Sequence, residues 1–129
     1  MQTLRLRPHQ ERRLLAGHVW VYANEVDVDA TPLKGLEPGS EVVLRSSRGR
    51  SLGAALVNPH ALICARRYSD TVRPFDDDLL RARLRAALAW RERLYPEPWY
   101  RLAFGDSDGL PGLVADRYDD QLVVQIGTA

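Results

Sequence analysis

The feature that most constrains this fold is one strongly signalled helix between two regions with strand periodicity. Apolar residues recur at helical spacing over residues 77–95, and Pro96 follows the pattern. Asp76 is a favoured N-cap residue, and the two aspartates after it place negative charge at the positive end of the helix dipole. Phe75 and Leu80 have the spacing of a hydrophobic staple. We therefore predict a long helix over this segment.

The residues on either side of the helix alternate between apolar and polar side chains, which is typical of short β-strands. Before the helix, strand patterns cover 3–7, 18–26, 41–58 (two strands joined near Gly49) and 62–69, with a short helix predicted over 8–17. After the helix, they cover 100–105, 113–118 and 119–127. The sequence therefore predicts a mostly β, α+β fold, in which a small barrel or sandwich precedes a β-α-β-β segment with one long helix.

The charge of the chain changes at a predicted domain boundary near residues 70–76. Residues 1–70 carry ten Lys or Arg against seven Asp or Glu, whereas residues 71–129 carry eight against ten. The total net charge of +1 gives no reason to expect whole-surface attraction to a membrane or to nucleic acid. One cysteine excludes an internal disulfide, and no apolar run approaches about 18 residues, so we predict a cytoplasmic protein without a membrane partner.

The segment GDSDGLPGLVADRY (105–118) raises the question of a metal or acid–base site. A calcium loop needs oxygen ligands at its fifth and twelfth positions, which are Leu110 and Arg117 here, so calcium is excluded. Asp106 and Asp108 could act as acid and base, although turn formation explains them more simply. The preferred interpretation assigns no catalytic, cofactor-binding or metal-binding residue in this chain.

The basic and aromatic side chains of residues 1–70 predict an RNA-binding surface. Arginine pairs occur on the predicted small helix (Arg12 and Arg13) and on either side of a turn glycine (Arg48 and Arg50). Small β-barrels hold RNA by phosphate contacts from such side chains and by base stacking on aromatic rings. The candidate RNA contacts are Arg12, Arg13, His18, Trp20, Arg48, Arg50, Asn58 and Arg66.

Three motifs together resemble a known family. They are AGHVWVYANEV (16–26), SRGRSLGAALVNPH (47–60) and YRLAFGDSDGLPGLVADRYDDQLVVQ (100–125). With them the chain resembles the N-terminal part of the class I ribosomal RNA large-subunit methyltransferases, which methylate cytosine at C5 in 23S rRNA with S-adenosylmethionine. One departure is Val19, because the family often has proline after Gly-His.

The resemblance implies a domain organisation and a partner. Residues 1–70 resemble a PUA domain, a small pseudo-barrel that binds RNA, and residues 71–129 resemble the first part of a central β-α-β domain. The family's Rossmann-like catalytic domain is absent, and Cys64 does not match the position of its catalytic cysteine. The implied partner is therefore 23S ribosomal RNA, with S-adenosylmethionine as the cofactor of a full-length parent and no cofactor in this chain.

Two other functions stay open from the sequence. The apolar strand pattern at 121–126 could pair with another chain and make this a protein-contact or homodimerisation module without RNA binding. The pattern also stops just before Ala129, which suggests a fragment of a longer protein. The second alternative is a small self-contained enzyme that uses Asp106 and Asp108.

Overall fold

The computed structural model describes residues Met1–Thr128, which form two compact units. Unit 1 comprises Met1–Pro74, and unit 2 comprises Phe75–Thr128. Each unit has its own β-sheet and its own hydrophobic core. No helix within these described residues is long and apolar enough to cross a membrane.

Unit 1 is a five-stranded sheet with one short helix. Its elements are β1 (Gln2–Arg5), α1 (Arg12–Leu15), β2 (Trp20–Tyr22), β3 (Glu41–Arg45), β4 (Ser51–Val57) and β5 (Ile63–Ser69), with 3-10 turns at Ala23–Glu25 and Leu33–Gly35. The strand order is β1-β3-β4-β5-β2. β1 pairs with β3 in parallel, and the other neighbours are antiparallel.

The two edge strands of this sheet meet just beyond their ends. Leu6, after β1, forms an antiparallel bridge with Val26, after β2. The amide of Arg7 donates to the carbonyl of Glu25 at 2.9 Å, and the amide of Asp27 donates to the carbonyl of Arg5 at 2.9 Å. Because these bonds join the two edge strands, β1 and β2, the sheet closes on itself as in a small barrel.

Strand alternation places one apolar face of the sheet inside this barrel. The core includes Leu4, Leu14, Val21, Val42, Leu44, Ala55, Val57 and Cys64, all of them buried. Gly53, in β4, lies directly against the end of β5 and has φ at +108°. A Cβ atom at this position would lie 2.0 Å from the carbonyl oxygen of Ser69, so the close approach of the two strands requires glycine.

Unit 2 packs one helix on a three-stranded antiparallel sheet. Its elements are α2 (Asp77–Leu94), β6 (Trp99–Phe104), a 3-10 turn (Gly105–Asp108), β7 (Leu113–Tyr118) and β8 (Gln121–Ile126), with sheet order β6-β7-β8. The core consists of Ala103, Leu110 and Ala115, against which Phe75 and Leu80 pack. All six residues of β8 are exposed, so the last strand lies outside this core.

The predicted fold class and the predicted long helix are confirmed. The structure is mostly strand, with one long helix that begins and ends within one residue of the prediction. A carboxylate oxygen of Asp76 accepts the amide of Leu79 at 2.9 Å, as expected of an N-cap. Phe75 and Leu80 pack against the same apolar cluster, as expected of the staple.

The predicted helix over 8–17 is much shorter than expected. Only Arg12–Leu15 are helical, and the residues before them form turns. His9 has φ at +69°, a left-handed conformation that breaks a right-handed helix. The Pro8 signal therefore marked the start of a turn rather than of a helix, whereas Gly17, with φ at +104°, ends the helical segment as predicted.

The predicted strand over 18–26 is also shorter, since only Trp20–Tyr22 pair as β2. A 3-10 turn follows, because a carboxylate oxygen of Glu25 accepts the amide of Tyr22 at 2.9 Å in place of a strand partner. The same oxygen accepts the guanidinium of Arg13 at 2.5 Å. A buried carboxylate therefore replaces the last strand residues and ties α1 to β2.

Candidate nucleic-acid interface

A cleft of about 620 Å³ lies in unit 1 between the chain around α1 and the β3–β4 hairpin. We call it the arginine cleft; its polar lining includes His9, Glu11, Arg12, Ser47, Arg48 and Arg50. Three of the eight predicted RNA contacts, Arg12, Arg48 and Arg50, thus share one cleft although they are far apart in sequence. Its volume falls within the range of ordinary small-ligand sites.

The β3–β4 hairpin holds one wall of the cleft in a fixed shape. The amide of Gly49 donates to the carbonyl of Ser46 at 2.9 Å, and the Ser46 hydroxyl accepts the amide of Arg50 at 3.1 Å. The guanidinium of Arg45 donates to the carbonyl of Gly49 at 3.0 Å. Gly49 has the positive φ, +85°, that the sequence predicted for this turn. Arg48 and Arg50 therefore project from a turn whose backbone is held in place by hydrogen bonds.

The three arginines of the cleft are not used to hold the protein together. The side chains of Arg12, Arg48 and Arg50 are exposed and form no hydrogen bond or ion pair with any part of the chain between residues 1 and 128. Against the single carboxylate of Glu11, these three positive charges leave a net positive charge around the cleft, which creates a local positive potential even though the whole chain is nearly neutral. Such a site favours an anion with several charged oxygens, such as a nucleic-acid phosphate.

His9 gives the other wall of the cleft an unusual backbone. Its φ of +69° is one of two positive values found at non-glycine positions of the described chain. Left-handed backbone at non-glycine residues is uncommon and concentrates at binding sites. Sequence reasoning missed His9 as a lining residue because the segment was predicted to be helical.

A second group of predicted contacts lies on β2 and β5. Trp20 pairs with Arg66 across these strands, and the guanidinium carbon of Arg66 lies 5.4 Å from the centre of the indole ring. Trp20 is 41% exposed. An exposed indole beside an arginine is suited to stacking a nucleobase. We call this pair the Trp20 platform.

The arginine cleft and the Trp20 platform lie toward opposite ends of the same strand. Arg66 pairs with Leu56, near the end of β4, whereas Arg50 immediately precedes β4. Six residues of extended chain separate these positions, which corresponds to about 20 Å. The two groups are therefore separate contact points, and only a polymer several nucleotides long could reach both.

The remaining predicted contacts have other surroundings. Arg13 lies 5.0 Å from the centre of the Tyr22 ring and is bonded to Glu25, so it stabilises the fold of unit 1. His18 is exposed, next to the Trp20 platform in sequence. Asn58 is half-buried in the β4–β5 turn, where its backbone amide donates to the carbonyl of Cys64 at 2.7 Å. The structure does not bring these residues into the arginine cleft.

Arg67, the neighbour of Arg66, has a structural role that the sequence did not reveal. Its guanidinium donates to the carbonyls of Leu14 at 2.8 Å, His18 at 3.3 Å and Leu52 at 3.2 Å. Burial lowers the pKa of Arg67. The side chain thus fixes the end of α1 against β4, which positions one wall of the arginine cleft.

The loop with Asp106 and Asp108 is attached to α2 by two arginines. The guanidinium of Arg91 donates to both carboxylate oxygens of Asp108, at 2.7 and 2.9 Å, and the amide of Phe104 donates at 2.7 Å. Arg83 donates to the carbonyl of Gly109 at 2.5 Å. The carboxylate of Asp108 is therefore committed to holding the loop, while Asp106 lies half-buried at the start of the same 3-10 turn.

Cys64 and the side chains able to bind a metal ion are the remaining candidates for a reactive site. Cys64 is buried, its thiol lies 3.5 Å from the carbonyl oxygen of Val21, and burial raises its pKa to about 11. Such a thiol is a poor nucleophile at neutral pH. Within residues 1–128, no three His, Cys, Asp or Glu side chains are grouped so as to hold a metal ion.

The comparisons with known proteins agree with the geometry of unit 1. A family model described as a PUA-like domain matches residues 4–70, just over half of the chain. The ribosomal RNA large subunit methyltransferase I of Shewanella denitrificans is 36% identical over 95% of this chain and 32% of its own length. The ribosomal RNA large subunit methyltransferase of Deinococcus radiodurans is 37% identical over 98% of this chain and 32% of its own.

Two solved structures share the fold. A structure described as a SAM-dependent methyltransferase from Streptococcus mutans matches all of this chain and 34% of its own, with a TM-score of 0.82 and 17% identity. Another, described as a methyltransferase complexed with SAH, gives the same TM-score and identity over 33% of its length. The chain spans about a third of the length of the relatives it matches. Because the family match covers most of the barrel of unit 1, the chain belongs to the PUA-like domain family.

Proposed function

We propose that this chain is the RNA-binding N-terminal region of an S-adenosylmethionine-dependent ribosomal RNA methyltransferase. The observation that carries the proposal is the arginine cleft, with its three exposed guanidinium groups that form no ion pair, in a PUA-like unit. The names of the relatives, ribosomal RNA large subunit methyltransferases, support ribosomal RNA as the ligand. The finer proposal is a cytoplasmic protein that positions 23S rRNA for methylation of cytosine at C5.

In this proposal each unit has a distinct role. Residues 1–70 form the PUA-like RNA-binding domain, and residues 71–129 form the first part of a central domain that continues toward a catalytic domain outside this chain. Arg12, Arg48 and Arg50 would receive phosphates of the RNA backbone, and Trp20 would stack a base beside Arg66. Five of the eight predicted contacts thus form the two subsites. The other three, Arg13, His18 and Asn58, lie outside them.

The cofactor would be bound outside this chain. The one long helix of residues 1–128, α2, follows the segment DTVRPFD, which contains no glycine. A glycine-rich strand-to-helix loop is the usual cradle for a nucleoside cofactor, so the described residues do not fit S-adenosylmethionine. We therefore assign no step of methyl transfer to residues of this chain.

The salt dependence of RNA binding tests the proposal. We would measure the affinity of the chain for a fluorescent single-stranded fragment of 23S rRNA by anisotropy, from about 50 to 200 mM salt. Each phosphate contact contributes about 0.7 to the slope of log K against log salt on single strands. The triple variant R12A/R48A/R50A should therefore lose about 2 from this slope.

A matched triple variant provides the control. Lys34, Arg81 and Arg85 are exposed and lie outside both subsites, so K34A/R81A/R85A removes the same charge elsewhere. The control should keep most of the wild-type slope. An unchanged slope in R12A/R48A/R50A would move the RNA site away from the cleft. If the wild-type chain binds RNA no better at low salt than an unrelated neutral protein of similar size, the RNA-binding proposal fails.

The last strand favours a second candidate function, a contact with another protein chain. β8 has an unpaired edge and no charged residue, and Leu122, Val123, Val124 and Ile126 are 50–75% exposed. β6, the other edge of this sheet, carries Arg101 and a bulge that protect it from pairing. Sedimentation velocity would test homodimerisation through β8: a dimer that V123K converts to monomer supports it, and a wild-type monomer at high concentration excludes it.

A further inference from the structure

The arginine cleft contains one carboxylate, and part of it has no partner. Glu11 lines the cleft together with Arg12, Arg48 and Arg50. Its Oε2 atom is buried and accepts no hydrogen bond from any group in residues 1–128. Glu11 stands at the N-cap position of α1, yet its side chain caps no amide there. The burial of this carboxylate is therefore not explained by an interaction that stabilises the fold.

A site for phosphate alone would not contain this carboxylate. Its negative charge opposes the charge of a phosphate in the same cleft, and a buried oxygen without a donor is unfavourable. Both costs are offset if the ligand brings hydrogen-bond donors to Glu11 and oxygens to the arginines. The ligand that fits the cleft therefore presents donors and acceptors a few ångströms apart.

Guanine matches this requirement better than the other RNA bases. Its Watson–Crick edge presents two adjacent donors, N1–H and the N2 amino group, which face a carboxylate without an intervening acceptor. Its O6 and N7 acceptors are the groups that arginine contacts most often in nucleic acids. Bases in single-stranded RNA are unstacked and can offer both edges to a protein.

Resting on the proposed RNA-binding function, we infer that the arginine cleft selects a guanine nucleotide in single-stranded RNA. Glu11 accepts hydrogen bonds from N1–H and N2–H of the base, while the arginines contact O6, N7 or the adjoining phosphates. Glu11 is thus a specificity-determining residue, and the arginines supply most of the affinity. The cleft volume of about 620 Å³ lies within the usual range for sites that enclose a small ligand.

The test uses uridine decamers in which the central base is guanine, hypoxanthine or uracil. Guanine and hypoxanthine differ only in the N2 amino group, so their comparison isolates one hydrogen bond to Glu11. Hydrogen bonds to charged groups are strong enough for an affinity difference of about tenfold in favour of guanine. E11A should bind the guanine and hypoxanthine decamers equally, and should bind the uridine decamer at least as tightly as the wild type because a repelling charge is gone.

Two further variants keep the result interpretable. Glu37 is exposed and lies near the other end of β4, so E37A removes the same charge and should keep the preference for guanine. If E11A proves unstable in thermal melting, E11Q keeps the size of the side chain but lacks one acceptor, and should reduce the preference.

The outcomes separate this inference from the function on which it rests. Equal wild-type affinity for all three decamers would overturn the guanine assignment and leave RNA binding intact. A preference for guanine over hypoxanthine that survives in E11A would also overturn it. No binding of any decamer by the wild type would overturn the RNA-binding function itself.

Discussion

The substitution of Gly53 by alanine should destabilise unit 1 severely. A Cβ atom at this position would lie 2.0 Å from the Ser69 carbonyl oxygen and 2.8 Å from the Cα atom of Asp70, so β4 and β5 must move apart. Overpacking of this kind typically costs 1–3 kcal/mol, and the positive φ of +108° adds about 1–2 kcal/mol for a residue with a side chain. The expected loss is about 2–5 kcal/mol, a large fraction of the stability of an ordinary domain.

Gly17 provides a control with the same backbone and no steric conflict. Its φ is +104°, but a Cβ atom there would meet no atom within 4 Å. G17A should therefore lose only about 1–2 kcal/mol, the conformational part of the effect. Urea unfolding followed by circular dichroism measures both variants on one scale. Equal losses in G53A and G17A would refute the argument that the approach of β4 to β5 requires glycine.

Three further predictions concern other residues. D108N should lower the stability of unit 2 by about 2–4 kcal/mol in urea unfolding, because it disrupts a pair with Arg91 whose side chains are only 11% and 14% exposed; a loss near zero would mean that the loop is held by other contacts. Burial raises the pKa of Cys64 from 9.0 to about 11, so its contribution to stability is complete below pH 9 and disappears as the pH rises toward 11. The free energy of unfolding of the wild type should therefore fall by about 2–3 kcal/mol more than that of C64A between those limits. Parallel plots of stability against pH for the two proteins would contradict the raised pKa of Cys64. W20A should weaken RNA binding by about 1–3 kcal/mol without a change in the salt slope; an unchanged affinity would remove Trp20 from the interface.

The parts of the fold that the sequence predicted well are those determined by local chemistry. The N-cap at Asp76 and the staple at Phe75 act within one helical turn, so their pattern survives in any tertiary context. The predicted helix over 8–17 failed because Pro8 is equally compatible with a turn, and the left-handed conformation of His9 depends on its surroundings. The strand predicted over 18–26 failed because Glu25 forms bonds with Tyr22 and Arg13, which no strand pattern reveals.

The residues of the candidate site also divide into those that local sequence predicts and those that depend on the tertiary fold. Arg48 and Arg50 were predicted because a glycine turn exposes its neighbours, and the hairpin has that form. Their meeting with Arg12 depends on how the sheet closes, and periodicity alone does not determine it. Arg66 and Arg67 are adjacent and identical in type, yet one lies beside an exposed indole and the other bonds three carbonyls inside the unit.

The location of bound RNA is the most direct test of the account. We would titrate the ¹⁵N-labelled chain with a single-stranded 23S rRNA fragment and follow amide and indole NMR signals. We expect the largest shifts at the backbone around His9, Arg12 and Gly49, together with the indole N–H of Trp20. Shifts confined to residues 75–128, or absent from both subsites at saturation, would contradict it.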